Sequence, residues 1–318
     1  MNGNPTADTT KFPNNPMTDT NNNLRGDNVK SIPSILEGSG GEIPTSPLLF
    51  NHEPYNCPLF ELDPYAIKVE QVDAGKLTYY QHQMSKAVWR PAPGRKLGFF
   101  VKHNDTIIGL IFLASPVINL TERDNYLNLP KDPKVKGKSL REIMDISVCV
   151  SAQPLGWHWN LGKLCALLAP TLGDFFFNRY GDELKHLVTT SLWGRGTQYN
   201  RVFKFLGYTK GHGHEHISEE RYQGMMKWLR DNGHDVPSCK FGSGSNPRMR
   251  RISAYRKASG DKTITLKHGI KRGIYYHQAV NPSERQRVIL DWYNRWGKPR
   301  YDKTKDLVPP YLNGLQNK

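Results

Sequence analysis

Three consecutive segments constrain this chain most. "IMDISVCV" (143–150) is a short, nearly unbroken apolar run of the kind that is buried on both faces of a sheet. "NLGKLCALLAPTLGDFFFNRYG" (160–181) follows, with Leu161, Leu164, Leu168, Leu172 and Phe175 spaced three or four apart. That spacing predicts a helix facing the core, broken or kinked at Pro170. "HLVTTSLW" (186–193) reads as a second strand. A strand, a helix and a strand in this order require parallel pairing through a right-handed crossover.

The flanking sequence extends the unit in both directions. "PLFELDPYAIKVEQV" is an entry segment with a short strand, and 74–91 carries a short helix ahead of a proline-rich turn at 91–93. "KLGFFVKHNDTIIGLIFLAS" reads as a hairpin whose turn is His103-Asn104-Asp105. "NYLNLPKDPKVKGK" reads as a loop. Downstream, Tyr199, Val202, Phe203 and Leu206 form an i, i+3, i+4, i+7 stripe, so "QYNRVFKFLG" is predicted as a second helix with Gly207 at its end. "YTKG" then begins a further strand. Sheet and helices alternating this way make an α/β domain of ordinary size.

Charge and composition limit the rest. The chain has 318 residues and a formal net charge of +15, with 37% hydrophobic residues. Residues 240–305 hold 17 Lys/Arg against four Asp/Glu, most of the surplus. A concentrated basic surface favours a polyanionic partner, nucleic acid ahead of membrane; the alternative is a solvated basic tail. Arg248, Arg250, Arg251, Lys271 and Arg272 interleave with Tyr255, Tyr275 and Tyr276, a pattern suited to phosphate neutralisation and base stacking. Cys57, Cys149, Cys165 and Cys239 stand far apart with no CxxC pair, which suits free thiols in a reducing cytosol. No apolar run reaches membrane-spanning length and no signal peptide opens the chain. Residues 1–45, rich in Asn, Thr, Pro and Gly, are expected to be disordered.

Several positions suggest chemistry, each beside a plainer reading. Asp145 opens the apolar run of 143–150, where a carboxylate needs either a structural hydrogen bond or a role as base. Gly194-Arg195-Gly196, followed by Thr197 as helix cap, offers a phosphate site at a helix N-terminus, or simply a glycine turn. Tyr199 is either core or a general acid. Asn200 lies off the apolar stripe and can reach a base edge or substrate amide. Tyr80, His82 and Arg90 sit in the first helix, with His82 on its polar face. Trp157, His158 and Trp159 either stack an unpaired base or pack the loop. His212, His214 and His216 alternate as a metal site would, but such triplets are more often solvated, and no metal is assigned.

These segments resemble a known family. "YYQHQMSKAV", "MDISVCV" with "GWHWNLGKLCALLA", and "YNRVFKFLGYTKG" are similar to the Mom-like branch of the GNAT superfamily over 77–216, and "KHGIKRGIYYH" is similar to tails in that set. The resemblance implies a GNAT-like mixed sheet flanked by helices, an α/β fold with a disordered N-terminal arm and a basic C-terminal extension. The implied boundaries are 1–45, 58–235 and 236–318. It also implies that His82, Asp145 and Tyr199 line the site. The loop "SAQPLGWHWNLGK" matches the coenzyme A pattern only at Gln153 and Gly156.

Within that set the chain resembles a subgroup, the phage amino-acid:DNA transferases of thymidine hypermodification. The resemblance then implies a transferase that joins a free amino acid, glycine favoured, to 5-phosphomethyl-deoxyuridine in double-stranded phage DNA. Phosphate would leave at Gly194, Arg195, Gly196 and Asn200. No cofactor is implied, and the setting would be the host cytoplasm, with the modification shielding viral DNA from restriction. The alternatives are a coenzyme A-dependent acyl- or carbamoylmethyl-transferase on a base, and a non-catalytic nucleic-acid-binding module.

Overall fold

The computed structural model describes residues 59–85, 94–214, 217–240 and 246–310. The arm expected at 1–45, Cys57, Arg90, the turn at 91–93 and His216 lie outside the described residues.

The described chain builds a mixed α/β structure on one open sheet of seven strands. The strands are β1 (Ile67–Val72), β2 (Lys96–His103), β3 (Thr106–Ala114), β4 (Ile143–Ser151), β5 (His186–Ser191), β6 (Lys204–Tyr208) and β7 (Gly273–Gln278), and they lie in the order β1-β2-β3-β4-β5-β7-β6. Every pairing is antiparallel except β4 with β5. The expected hairpin is β2–β3, turned at Asn104 with φ +50°, and the expected parallel pair is β4–β5. That parallel ladder covers only Ile143–Asp145 against His186–Val188. Beyond it the strands part. Thr189 Oγ1 donates to the Ile146 carbonyl at 2.8 Å, and Gln198 Nε2 donates to the Cys149 carbonyl at 2.7 Å, so side chains replace the missing ladder.

Helices cover both faces. On one, α4 (Leu155–Trp159), α5 (Leu161–Leu168), α6 (Gly173–Tyr180) and α9 (Arg285–Trp292) enclose the largest core, with Trp159, Leu164, Phe176 and Trp292 inaccessible. The helix predicted over 160–181 is α5 and α6, separated by a 3₁₀ turn at Ala169–Thr171, the break that Pro170 requires. On the other face, α1 (Ala74–Met84) sets Leu77 and Tyr80 against Phe100 and Phe112. Further along that face, α2 (Thr121–Tyr126) and α3 (Pro133–Ser139) flank a cluster of Leu120, Leu140, Ile143, Val188 and Ile274. These two helices replace the predicted loop. Asp132 caps α3 by accepting from the Lys134 and Val135 amides, and Pro133 takes the first helical position.

Two expectations are corrected here. Residues 199–206 do not form a helix: 197–203 is a series of turns, and Lys204–Tyr208 is β6, paired with β7. Strand partners delivered from 273–278 outweigh a ten-residue helical stripe, which is marginal alone. The basic part after 235 is also not a separate extension. β7 sits inside the sheet between β5 and β6, and α9 belongs to the main core. Between β6 and β7 the chain runs out as a neck, joined by Thr209 N–H to the Arg272 carbonyl (2.9 Å) and Gly213 N–H to the Leu266 carbonyl (3.0 Å). It carries α7 (Glu219–Asp231) and α8 (Pro247–Ser259), which share their own core of Tyr222, Met225, Met226, Leu229 and Ile252. A π-helical turn (Tyr293–Gly297) and α10 (Lys298–Thr304) close the described chain.

Gly109 on β3 shows how tightly the sheet meets α5. A methyl group there would collide with Cys165 Sγ and stand 3.2 Å from the Val150 carbonyl oxygen. Gly109→Ala is expected to destabilise the protein by about 1–3 kcal/mol through overpacking, and thermal denaturation measures it.

Candidate functional site

The face that carries α1, α2 and α3 leaves a strip of sheet uncovered. Asp145 pairs with Ala114 on β3 and Val188 on β5, and its side chain lies at the floor of this strip. Further along the same two strands, Ser147 and Thr190 are exposed although β4 and β5 are central in the sheet. Central strands leave polar side chains open to solvent only where no helix covers them.

Asp145 has an uneven environment. Oδ2 accepts from the Val117 amide at 3.3 Å, while Oδ1 is sealed from solvent with no hydrogen-bond partner among the described residues. Burial pushes the carboxyl up to about 7, against the pull of the Arg123 charge and the Val117 N–H. The residue as a whole keeps some exposure, so solvent reaches the site although Oδ1 itself is enclosed. A carboxyl that titrates near neutrality can both accept and donate a proton.

The loop that meets Asp145 is held by a network that the sequence reading missed. Arg123 on α2 is fully buried. Its guanidinium donates to the Val117 carbonyl at 2.7 Å, the Ile118 carbonyl at 3.1 Å and Asp124 Oδ1 at 2.6 Å. Lys136 on α3 donates to Asp124 Oδ2 at 2.9 Å and to Asn119 Oδ1 at 3.1 Å. Burial alone would raise the Asp124 carboxyl, but hydrogen bonds from Lys136, Arg123 and the Leu120 amide hold it below its ordinary value. The signal for part of this was Asp132-Pro133, a cap followed by a first-turn proline; the pairing of Arg123 with the 117–118 carbonyls had none.

The other predicted residues do not gather at Asp145. Tyr199 is buried in the main core on the opposite sheet face, beside Phe203 and Tyr275. Its hydroxyl meets Thr189 and Cys149, and burial pushes it well above the ordinary phenol range. That is the core reading, as it is for Cys149, whose thiol burial pushes up to about 12. His82 is exposed on α1, away from the buried Leu77, Tyr80 and Gln81. Gly194, Arg195 and Gly196 form a turn with no helix after it, so the helix N-terminus expected to hold phosphate is absent. The Gly194 carbonyl accepts from the Tyr275 hydroxyl at 2.6 Å, and Arg195 lies over the Phe205 ring at 4.7 Å. Asn200 is exposed, with its carbonyl bound by Lys163. Trp159 stacks on Tyr301 at 4.2 Å and His158 is buried against Thr304, so this aromatic run is packing. His212 forms a bridge with Lys267, in the neck.

The basic residues chosen from sequence are mostly structural. Arg248 pairs with Glu219, donates to the Ile217 carbonyl at 3.0 Å and lies over Tyr222. Arg250 donates to the Ser238 and Lys240 carbonyls, and Arg251 to the Pro237 carbonyl at 2.8 Å and the Tyr222 hydroxyl at 3.2 Å. Tyr275 is core, unavailable for base stacking. Arg272 is half-buried and its backbone is tied to Thr209, whereas Lys271, Arg256 and Lys257 are exposed.

Comparison with known proteins decides the family. The family described as Druantia protein DruA matches residues 67–287, more than half of the chain. This chain belongs to the DruA family. A relative named Druantia protein DruA, from Escherichia coli (strain UMEA 4076-1), is 33% identical over 211 residues, covering 59% of this chain and 52% of the relative. The chain therefore spans about half the length of the curated relative it matches. Membership of the DruA family overturns the resemblance to Mom-like and GNAT phage DNA-modification proteins. With it fall the expected amino-acid transfer to a phosphomethylated base and its role in shielding viral DNA, and neither the coenzyme A-dependent transferase nor the bare binding module is favoured. The short motifs that suggested the resemblance cover a sheet and its packing helix, which unrelated functions share. No helix among the described residues is long and apolar enough to cross a membrane.

Proposed function

We propose that this protein acts in anti-phage defence of the Druantia kind, as an enzyme that engages nucleic acid and uses Asp145 for proton transfer. The match to the Druantia protein DruA family over residues 67–287 supports the defence role. The formal net charge of +15, with its surplus concentrated in 240–305, supports a nucleic-acid partner. The observation that carries the chemistry is the Asp145 carboxyl. It has a sealed oxygen without a hydrogen-bond partner among the described residues, at the floor of an open strip of sheet, and burial pushes it up to about 7. Structural carboxylates are satisfied by hydrogen bonds; one left short beside an accessible surface is arranged for something that binds there. We also read the fold as GNAT-like, which the single short parallel pair among antiparallel strands supports.

The test pairs a cell assay with an assay in solution. Escherichia coli carrying this gene with its chromosomal neighbours is expected to resist lytic phage, and Asp145→Asn is expected to abolish that resistance while the protein still accumulates. With purified protein and nucleic acid, the same change is expected to lower turnover by about 10²–10⁴-fold, the range of a lost acid–base group. Resistance and turnover at the parent's level in Asp145→Asn would remove Asp145 from the chemistry.

A further inference from the structure

On the other face of the sheet, where β4 and β5 part, Lys163 feels the charges of Arg201 and Arg295, and none of the three pairs with an anion among the described residues. Lys163 on α5 is 8% exposed, and its ammonium donates to the Gln198 carbonyl at 3.1 Å and the Asn200 carbonyl at 2.8 Å. An ammonium has three N–H groups, and the third has no hydrogen-bond partner among the described residues. The ammonium also lies 5.5 Å from the centre of the Trp296 ring, and the Arg295 guanidinium lies over that ring at 4.7 Å. Arg201 follows the two carbonyls with φ +68°, a left-handed conformation uncommon for a residue with a side chain. Arg201 and Arg295 are both exposed.

Among the described residues, none of the three makes an ion pair. Neutral carbonyls and a ring face compensate an ammonium only partly, and a buried charge without a counter-ion is costly. Burial lowers the Lys163 pKa, and the charges of Arg201 and then Arg295 lower it further, so each arginine disfavours the charged ammonium. Chain segments from α5, the 198–203 turns and the π-helical turn bring them together from far apart in sequence.

We propose that Lys163, Arg201 and Arg295 form a phosphate site, filled by a phosphodiester of bound nucleic acid or by free phosphate. The choice of phosphodiester rests on the nucleic-acid reading above; the site itself does not. A tetrahedral dianion or a backbone phosphate supplies the missing counter-charge, and two guanidinium forks with one ammonium offer the donors it takes. The position explains why a turn that begins with Gly194-Arg195-Gly196 ends in a strained arginine: the anion chemistry lies at the end of this turn rather than at its glycines.

The experiment uses the full chain and the double variant Arg201→Gln/Arg295→Gln, whose changed side chains are exposed and outside the core. Two probes are used: a fluorescein-labelled oligonucleotide followed by anisotropy across a salt series, and inorganic phosphate followed by thermal shift at constant ionic strength. For a phosphodiester, the variant is expected to bind the oligonucleotide at least about tenfold more weakly, with the slope of log affinity against log salt reduced by about one to two. If phosphate raises the melting temperature of the parent but not of the variant, and neither binds the oligonucleotide, the site holds free phosphate; the proposal stands and the nucleic-acid reading fails. If parent and variant respond alike to both probes, the proposal is overturned.

Discussion

Asp145→Asn is expected to make the folded protein more stable at pH 8, by on the order of 2–4 kcal/mol, and to change nothing near pH 4. The sign follows from where the carboxyl holds its proton. In the folded chain burial raises it to about 7, whereas an unfolded chain releases the proton near its ordinary value of 3.8. Below both values the two states are equally protonated and the carboxyl has no effect. As pH rises from about 4 to 7, the unfolded state ionises freely and the folded state does not, so stability falls; above about 7 the deficit is complete. Asparagine has the same shape and no charge to bury. Urea denaturation of parent and variant between pH 4 and 8 measures the difference, and parallel stability curves would refute the assignment of a raised carboxyl. The result also bears on the phage assay. A variant that loses protection while gaining stability has not lost it by unfolding, and a site that costs stability to keep is the pattern expected of function.

Arg123→Met should have the opposite consequence, a loss of about 3–5 kcal/mol. The methionine fills much of the space but donates nothing. The Val117 and Ile118 carbonyls lose their donors, and Asp124 keeps only Lys136 and the Leu120 amide. Breaking one member of a buried charged network is worse than never having built it, because the remaining members stay desolvated. Since Arg123 also lowers the Asp145 carboxyl, its removal should move that titration upward, which a pH series on the variant resolves from simple destabilisation. A melting temperature within a degree or two of the parent's would show that the loop at 117–120 is held by something else.

The parts of this fold legible in the sequence are those specified by neighbours a few residues apart. The β2–β3 hairpin turns at Asn104, β4 is a nearly unbroken apolar run, and Pro170 interrupts the helical stripe where the structure has its 3₁₀ turn. What was not legible depends on distant partners. Tyr199, Val202, Phe203 and Leu206 satisfy a helical period, yet β7, some seventy residues on, recruits Lys204–Tyr208 as a strand. The same holds for the site. Asp145 stood out because a carboxylate in an apolar run is anomalous by itself. Lys163, Arg201 and Arg295 are ordinary residues in their own segments, and only the fold makes them a group. The family resemblance failed for a related reason: it was read from strand and helix segments whose spacing reports packing, and packing does not report chemistry.

The late arrival of β7 has a consequence for how the chain is made. β5 and β6 are synthesised well before Gly273–Gln278, and the place between them is filled only by that strand. On the ribosome, therefore, the β5 edge stays open while more than eighty further residues emerge, including the whole α7–α8 arm. An open apolar edge is a template for pairing with another chain. The arm between β6 and β7 has a core of its own, so it can form during that interval and deliver β7 to its slot as the returning half of a hairpin. Sheet completion is thus a long-range event that waits for Gly273–Gln278, and nascent chains cut short of residue 278 are the population most exposed to aggregation.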